Sequence, residues 1–599
     1  MSQHAVLYAC KYTPVELLAG FGASCELAEL DAASFPDAER LGHANLCGYG
    51  KMLLERLLAD DVHEVVLVSC CDVVKRVYDV LAEEGGLDFL YLLDLPHLRG
   101  PEEVALFRER LAALADAYAA YTGSQFDAGA ALAAFEPRVT RTDERVTLLG
   151  AHATASLLDA VGVMGMPVEN LTCTGPRTLA APPTDLARIE GDSTCTLCEA
   201  SERDGRPVLE RFLDWYAEAL LDQMPCMRMD HVAERSQAVG GSGQLGIIYH
   251  TMRFCDYYGF EHAGLRELDR LPQTRIETDG TSQSAGQLRT RLEAFAETLA
   301  ARRATGMLDA SQGGAFMPGM GKAQKANRAA ARTGDYVLGV DSGSTSTDAV
   351  VVNASGAMVG TAIVATGVRA SEAARRAEAE ALDAAGIGPD DVSLRVSTGY
   401  GRDSIEGMDV SITEITCHAA GAHALAPDAR SVIDIGGQDS KVIHLDEDGS
   451  VLSFVMNDKC AAGTGRFLET MARTMEMPID RFCQTGLGWR HEVSISSVCT
   501  VFAESEVVSL VAKDTPAADI IHGLNVSVAT KTATLARRVG AEPPYLMTGG
   551  VARNAGVVSA LSDALGEPVA THKDSQLCGA LGAALLGLSR LRSTRAAAR

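Results

Sequence analysis

One stretch decides the fold of the second half of this chain: residues 336–352, which read YVLGVDSGSTSTDAVVV. Two apolar runs flank a turn of glycine and hydroxyl residues, a pattern typical of strand, tight turn and strand. The backbone N–H groups and hydroxyls of such a turn can bind phosphate oxygens, and Asp341 can hold Mg²⁺ directly or through water. We therefore predict a phosphate-binding turn whose contacts are Asp341, Gly343, Ser344 and Thr345.

The same device recurs twice further along the chain, in residues 432–439 (VIDIGGQD) and in the glycine turn of residues 545–554 (YLMTGGVARN). The predicted nucleotide contacts of these two turns are Asp434, Gly436, Gly437, Gln438, Gly549, Gly550, Val551 and Arg553. A single Asp-x-Gly turn is weak evidence, but three such turns in this order resemble the phosphate-1, phosphate-2 and adenosine motifs of the actin-like ATPase superfamily. The lysine-bearing P-loop has a different pattern. The resemblance implies a two-lobed ATPase that binds ATP and Mg²⁺, with Asp341 and Asp434 as catalytic residues.

Two cysteines stand at predicted helix starts between these motifs, in residues 457–469 (NDKCAAGTGRFLE) and 497–504 (SVCTVFAE). A helix N-terminus favours a thiolate, so Cys460 and Cys499 are candidate metal ligands. Two ligands cannot hold a cluster that needs four, but a symmetric dimer would supply the other two. The alternative is that both are buried as small hydrophobic residues.

Taken together, residues 335–590 resemble the activator ATPase of the 2-hydroxyacyl-CoA dehydratase and benzoyl-CoA reductase systems. The resemblance implies a homodimer in which Cys460 and Cys499 of both chains bind one bridging [4Fe-4S] cluster. It also implies that ATP hydrolysis drives single electrons, received from a low-potential donor such as ferredoxin or flavodoxin, onto an acceptor.

The composition of the 599-residue chain suits α/β layers, since it is 47% hydrophobic, only 5% aromatic and contains 57 glycines. A formal net charge of -26 argues against nucleic acid or an anionic membrane surface as partner. The sequence shows neither a secretion signal nor a membrane-spanning run, so we expect a cytoplasmic protein. Fifteen cysteines in a reducing compartment favour metal binding or catalysis over disulfides.

The chain divides at residues 304–334, a Gly-, Ala-, Lys- and Gln-rich stretch that we interpret as a linker. Before it, apolar strands such as 64–69 and 245–249 alternate with helical stretches such as 101–120 and 207–222. This alternation predicts two doubly wound parallel-sheet units, residues 1–140 and 141–303, ahead of an ATPase domain at 335–599.

The first half carries cysteines where predicted strands end. Cys71 and Cys255 each follow an apolar run and precede an aspartate. Sites of doubly wound sheets are built at strand ends, so these two cysteines could converge. The further candidate ligands are Cys47, Cys173, Cys195, Cys198 and Cys226. Each of these cysteines alone could be a packed structural residue. A zinc site usually takes two close pairs of ligands, and only Cys195 and Cys198 form such a pair. The set as a whole therefore favours an iron–sulfur cluster.

Most of residues 1–303 resemble the 2-hydroxyacyl-CoA dehydratase component family. The resemblance rests on Cys71-Asp72 and on residues 12–18 (YTPVELL), 43–47 (HANLC), 225–228 (PCMR), 254–256 (FCD) and 286–291 (GQLRTR). It implies a [4Fe-4S] cluster on Cys47, Cys71 and Cys255. The surplus of cysteines resembles the double-cubane branch, in which two linked cubanes take six cysteine ligands and the protein reduces small molecules.

Three functions follow. The first is an ATP-driven reductase with a double-cubane acceptor in its first half. The second is a 2-hydroxyacyl-CoA dehydratase component fused to its own activator, which acts on an acyl-CoA substrate. The third is a non-catalytic, sugar-kinase-like regulator whose cysteines sense oxygen.

Overall fold

The chain folds into two units in a computed structural model. Unit 1 comprises Met1–Leu271 and Arg275–Arg289, and unit 2 comprises Pro272–Thr274 and Thr290–Arg599. The structure describes all residues except 1–4, 31–33, 44–45, 136–143, 163, 183–204, 225, 227, 230–234, 236–238, 240–242, 253–254, 256–257, 259–260, 262–270, 280–284, 305–334, 458–460, 496–499 and 598–599.

Parallel strands form the sheets of unit 1. The strands are β1 Val6–Tyr8, β2 Cys25–Leu27, β3 Glu64–Val68, β4 Phe89–Leu93, β5 Arg145–Gly150, β6 Val168–Asn170, β7 Gln244–Met252 and β8 Gln273–Thr278, whose first two residues belong to unit 2. One sheet has the order β2–β1–β3–β4, and in the other β5 lies between β6 and β7. The strand pairs within both groups are parallel. Parallel strands that are covered on both faces are mostly apolar, and every residue of β3 and β7 is buried.

Helices connect these strands. They are α1 Val15–Ala19, α2 Pro36–Leu41, α3 Gly48–Leu57, α4 Asp72–Glu84, α5 Pro101–Thr122, α6 Ala128–Ala133, α7 Ala155–Gly162, α8 Val208–Leu221 and α9 Ala285–Ala304. Helix α5 shows why the bounds fall where they do: Pro101 occupies its first turn, and Gly123 ends it in a left-handed conformation.

Two sheets of the same connectivity build unit 2. Their strands are β9 Tyr336–Ser342, β10 Ser346–Val352, β11 Met358–Ala365, β12 Val392–Thr398, β13 Val410–Ser411, β14 Ser431–Ile435, β15 Ser440–Leu445, β16 Val451–Asn457, β17 Tyr545–Thr548 and β18 Val569–Thr571. The first sheet has the order β11–β10–β9–β12–β13, and the second runs β16–β15–β14–β17–β18. In each, three antiparallel strands are followed by two parallel ones. The two lobes therefore repeat one topology.

The helices of unit 2 pack on and between these sheets. They are α10 Ala370–Ala385, α11 Glu414–Leu425, α12 Gly465–Thr474, α13 Ile479–Gly486, α14 Thr500–Val511, α15 Ala517–Val539, α16 Ala555–Leu565 and α17 Cys578–Ala597, with short 3-10 turns at Pro389–Asp391, Arg402–Ser404, Gly550–Arg553 and Ser575–Leu577. Helices α11 and α17 approach very closely, because a Cβ at Gly421 or Gly582 would overlap a backbone carbonyl oxygen of the other helix.

The predicted fold class, parallel α/β sheets followed by an actin-like two-lobed ATPase, is confirmed. The domain bounds at residues 140, 303 and 335 stay predictions. The two units divide between residues 289 and 290, so most of α9 belongs to unit 2. Residues 305–334 of the expected linker lie outside the described residues. In the part of the chain that the structure describes, no helix is long and apolar enough to cross a membrane.

The contact between α11 and α17 makes a stability prediction. Gly582→Ala should lower the free energy of unfolding by about 1–3 kcal/mol, because the added methyl group would overlap the Cys417 carbonyl. Thermal denaturation of the purified chain measures this. Gly162→Ala is the matched control, since a Cβ there meets no atom within 4 Å, and an equal loss in both variants would contradict the packing argument.

Candidate functional site

The two phosphate turns occupy equivalent places in the two lobes. Asp341 lies near the end of β9 and Asp434 near the end of β14. Each of these strands is the first of its sheet along the chain and the central one in space. The turns that follow contact each other, because a Cβ at Gly437 would overlap the Thr345 hydroxyl. Glycine is therefore required where the second turn meets the first.

The third glycine turn joins this pair. Gly549 has φ +80, and a Cβ there would crowd the Ile435 carbonyl and the Asp434 carboxylate. The start of α12 completes the arrangement, since Gly465 N–H donates to the Gly436 carbonyl at 2.8 Å. The structure thus brings the three predicted turns together, with Gln438 and Arg553 exposed beside them.

A buried histidine stands between the two aspartates. His418, on α11, places Nε2 3.6 Å from Asp341 Oδ2 and Nδ1 3.5 Å from Asp434 Oδ1. Burial alone would lower the pKa of His418, but the Asp434 and Asp341 carboxylates outweigh burial and raise it well above its usual value. The imidazolium therefore links the two lobes electrostatically.

A buried lysine balances the remaining acids. Lys441 Nζ lies 2.8 Å from Asp439, 3.3 Å from Asp434 and 3.3 Å from Glu414. Only 4% of its side chain is exposed. Burial opposes the charged form of Asp434, yet His418 and Lys441 hold the pKa of Asp434 below its usual value. Asp434 is thus an ionised carboxylate at neutral pH.

The site suits Mg²⁺ and phosphate. Carboxylate oxygens are the protein ligands that Mg²⁺ prefers, and two polar atoms beside the first turn, Ser342 Oγ and Asp348 Oδ1, are buried without a hydrogen-bond partner in the structure. Burial and the nearby Asp341 carboxylate raise the pKa of Asp348 to about 8. A bound cation would relieve this excess of negative charge.

Sequence reasoning missed the groups that hold these aspartates: His418, Lys441, Glu414 and Thr548, whose hydroxyl donates to Asp434 at 2.9 Å. Two signals were available. Glu414 and His418 stand four residues apart on a mostly apolar helix, and Lys441 directly precedes the apolar residues Val442 and Ile443 in strand β15.

In unit 1 the cysteines gather at strand ends. Cys10 follows β1, Cys70 and Cys71 follow β3, Cys173 follows β6 and Cys255 follows β7. The carboxyl ends of parallel strands lie at one edge of a sheet, which is where doubly wound folds build their sites. Two further cysteines join them: Cys47 precedes α3, and Cys226 is buried in the core beside Cys10.

The thiols are close enough to perturb one another. Cys70 is hydrogen-bonded to Cys10 and Cys71, and these bonds lower the pKa of Cys10 and hold that of Cys71 to about 7. Burial raises the pKa of Cys173, and the neighbouring thiols Cys226 and Cys255 add to that rise. Cys10 and Cys70 were not among the ligands predicted from the sequence.

Buried cations lie beside these thiols. Lys11 and Arg235 are almost fully buried, and both interact electrostatically with Cys226. Arg235 also forms a buried ion pair with Glu261. Positive charge beside a group of thiolates compensates the negative charge of a thiolate-bound cluster, so the donor set fits iron and sulfide chemically.

The described residues form no group of three or more His, Cys, Asp or Glu that could hold a single metal ion. The ligands of an iron–sulfur cluster bind different iron atoms, so they need not meet at one point. Four predicted ligands, Cys195, Cys198, Cys460 and Cys499, lie outside the described residues. All the predicted ligands and nucleotide contacts therefore stay predictions.

Fold and site together define a two-lobed, actin-like ATPase joined in one chain to an α/β unit that carries a buried group of thiols. Residues 338–587 match the BadF/BadG/BcrA/BcrD ATPase family, and residues 10–143 and 163–299 match the D-component of 2-hydroxyglutaryl-CoA dehydratase. The chain belongs to the BadF/BadG/BcrA/BcrD ATPase family, with a dehydratase-component half in front of the ATPase.

Two relatives and one solved structure are similar to part of this chain. The activator of lactoyl-CoA dehydratase from Anaerotignum propionicum is 46% identical over 250 residues, which cover 42% of this chain and 96% of the relative. The 2-hydroxyisocaproyl-CoA dehydratase activator from Clostridioides difficile is 39% identical over 260 residues, 43% of this chain and 97% of the relative. The protein in the crystal structure of (R)-2-hydroxyglutaryl-CoA dehydratase component A from Acidaminococcus fermentans is 44% identical in sequence. The match covers 43% of this chain and 99% of the chain in that structure, with a TM-score of 0.42.

The buried lysine makes a prediction about stability. Lys441→Met should lower the free energy of unfolding by about 3–5 kcal/mol, because it removes the ammonium group that faces the buried carboxylates of Asp434 and Glu414 and the partly buried carboxylate of Asp439. Denaturant titration at neutral pH measures the loss. Lys513→Met, at an exposed lysine, is the control and should change stability little; equal effects would refute the charge network.

Proposed function

We propose that this protein is an ATP-dependent low-potential reductase. The ATPase half would drive single electrons to the first half, whose cysteines would hold an iron–sulfur group that supplies electron transfer to a small-molecule substrate. The observation that supports this most directly is the gathering of seven thiols in unit 1, five of them at strand ends, in a chain that also carries an ATPase of the activator family.

In the ATPase half, the phosphates and Mg²⁺ of ATP would bind between the two phosphate turns. The turn residues Gly343, Ser344 and Thr345 present backbone N–H groups and hydroxyls, and Asp341 and Asp434 face the same space from the two lobes. His418 and Lys441 keep Asp434 ionised, so it can orient a water molecule or a hydrated Mg²⁺ for hydrolysis to ADP and phosphate.

Cys460 and Cys499 of two chains would hold a [4Fe-4S] cluster at a dimer axis, which supplies one-electron transfer when bound. A low-potential donor such as ferredoxin or flavodoxin would give up the electron. The relatives' names associate this ATPase family with the activation of 2-hydroxyacyl-CoA dehydratases. A one-electron change of about 120 mV corresponds to about hundredfold in equilibrium, within the range of ligand-driven coupling.

In unit 1, the ligands would come from Cys47, Cys71 and Cys255 together with Cys10, Cys70, Cys173 and Cys226. This number exceeds the three ligands of a single cubane and suits a double-cubane cluster. Lys11 and Arg235 would stabilise its negative charge, and the apolar surroundings would exclude water. Reduced thiols of this kind require a reducing compartment, so we place the protein in the cytoplasm.

The second candidate is a 2-hydroxyacyl-CoA dehydratase component fused to its activator. The match of residues 10–143 and 163–299 to a dehydratase D-component favours it. The two functions differ in electron balance. Loss of water is redox-neutral, so a dehydratase would return its electron, whereas a reductase consumes donor electrons in proportion to product.

The ATPase assignment can be tested at the two aspartates. Asp341→Ala or Asp434→Ala should reduce ATP hydrolysis about a hundredfold or more, because each removes a carboxylate that would hold the hydrated Mg²⁺ or orient the attacking water. The iron content of each variant, measured on the same anaerobic sample, should stay at the wild-type value. Unchanged hydrolysis in both variants would reject the actin-like site.

Iron content separates the two candidates. A cluster shared by two chains contributes about two irons per chain, and unit 1 adds about four with one cubane or about eight with a double cubane. We expect about ten irons per full-length chain made without oxygen, and about two fewer in Cys499→Ser. Iron, sulfide and protein should be quantified before and after reconstitution; saturation near six irons in the wild type would return the protein to the dehydratase class.

A further inference from the structure

Helix α9 supplies a contact surface that neither family match contains as a whole. Its residues Thr290–Ala304 belong to unit 2, although the ATPase family match begins only at residue 338 and the dehydratase-component match ends at residue 299. Its first residues, Ala285–Arg289, belong to unit 1. The helix is therefore a covalent continuation of unit 1 that packs within the ATPase.

The first anchor of α9 lies at the N-terminus of α11. The Glu297 carboxylate accepts hydrogen bonds from Thr413 N–H at 3.2 Å, Thr413 Oγ1 at 2.6 Å and Thr416 Oγ1 at 2.5 Å. A carboxylate at this position is favoured by the helix dipole of α11. Beside it, Ala294 is buried in the same core as Ile415 and Ala419 of α11.

The second anchor lies on the turn after β12 in the first lobe. Glu293 Oε2 accepts a hydrogen bond from Arg402 Nη2 at 2.8 Å, and the Arg402 side chain is only 6% exposed. This turn contacts the first phosphate turn, since Gly401 N–H donates to the Ser342 carbonyl at 3.0 Å. A Cβ at Gly399 would overlap the Asp341 carboxylate.

The third anchor lies in the second lobe. Arg302, near the end of α9, pairs at 3.8 Å with Asp446, which follows β15. The helix thus contacts the first lobe through Glu293, α11 through Glu297 and the second lobe through Arg302. The first two anchors lie close to the phosphate site, because α11 carries His418 and Glu414 and the turn that holds Arg402 contacts Ser342.

We propose that residues 290–304 are a coupling segment, through which movement of the two lobes around the nucleotide is transmitted to unit 1. This inference rests on the proposed function and adds the element that connects its two halves. A helix anchored on both lobes must shift, or lose an anchor, when the lobes move relative to each other. Its continuation into unit 1 makes that shift a signal along the chain.

Hydrogen–deuterium exchange of the full-length protein tests this without any electron-transfer assay. We expect peptides over residues 290–304 and 413–418 to change their exchange together when Mg²⁺ and a non-hydrolysable ATP analogue are added. Binding of the analogue is measured separately. If the analogue binds and the exchange of residues 290–304 stays constant, the coupling segment is refuted while the proposed ATPase stands; a chain that does not bind the analogue overturns both.

Matched variants locate the effect. Glu297→Ala should accelerate exchange in residues 290–304 about tenfold (~1.4 kcal/mol), because it leaves the Thr413 and Thr416 donors without their acceptor. Glu297→Gln retains an acceptor and should restore much of the protection. Glu380→Ala, at an exposed glutamate of α10, is the control and should exchange like the wild type in residues 290–304.

The same variants distinguish a coupling role from a structural one. Glu297→Ala should bind the analogue normally and hydrolyse more ATP for each electron delivered, with partial recovery in Glu297→Gln. An unchanged ratio of ATP to electrons in Glu297→Ala, together with accelerated exchange, would show that the helix is only packed on the ATPase and would overturn the proposal.

Discussion

The ATPase unit depends on the buried contact of His418 with Asp341 and Asp434. Two carboxylates from separate lobes face one space, and without a cation between them their repulsion and desolvation would oppose closure. Lys441 serves the second lobe in the same way. The close packing of α11 on α17 accompanies this contact, because α11 is the helix that carries His418.

The thiol site follows from a different constraint, the topology of parallel sheets. Strands that end at the same edge of a sheet bring the residues after them to that edge, so cysteines far apart in sequence become neighbours. Cys10 and Cys71, which follow the paired parallel strands β1 and β3, are neighbours in this way. Two buried cations, Lys11 and Arg235, lie beside the thiols. Although the chain as a whole has a net charge of -26, these positive charges stand where thiolates would concentrate negative charge.

Much of the fold could be predicted because its signals are local. The strands expected at residues 64–69 and 245–249 appear as Glu64–Val68 and Gln244–Met252, and the three glycine turns meet. The residues that hold the site together could not be predicted, because their partners are distant in sequence. In the sequence, Lys441 is indistinguishable from any other polar residue of a strand. Only the structure shows that β15 is buried and that Lys441 lies against Glu414.

Helix α9 illustrates the same limit at the scale of domains. Most of its sequence lies within the match to the dehydratase component, which ends at residue 299, yet residues 290–304 belong to the ATPase unit. A flexible linker alone would raise the effective concentration of one half near the other without fixing a geometry. The carboxylates of Glu293 and Glu297 are hydrogen-bonded to the ATPase, so α9 differs from a flexible linker. In the proposed coupling, movement of the lobes displaces this rigid helix, and the displacement has a defined direction.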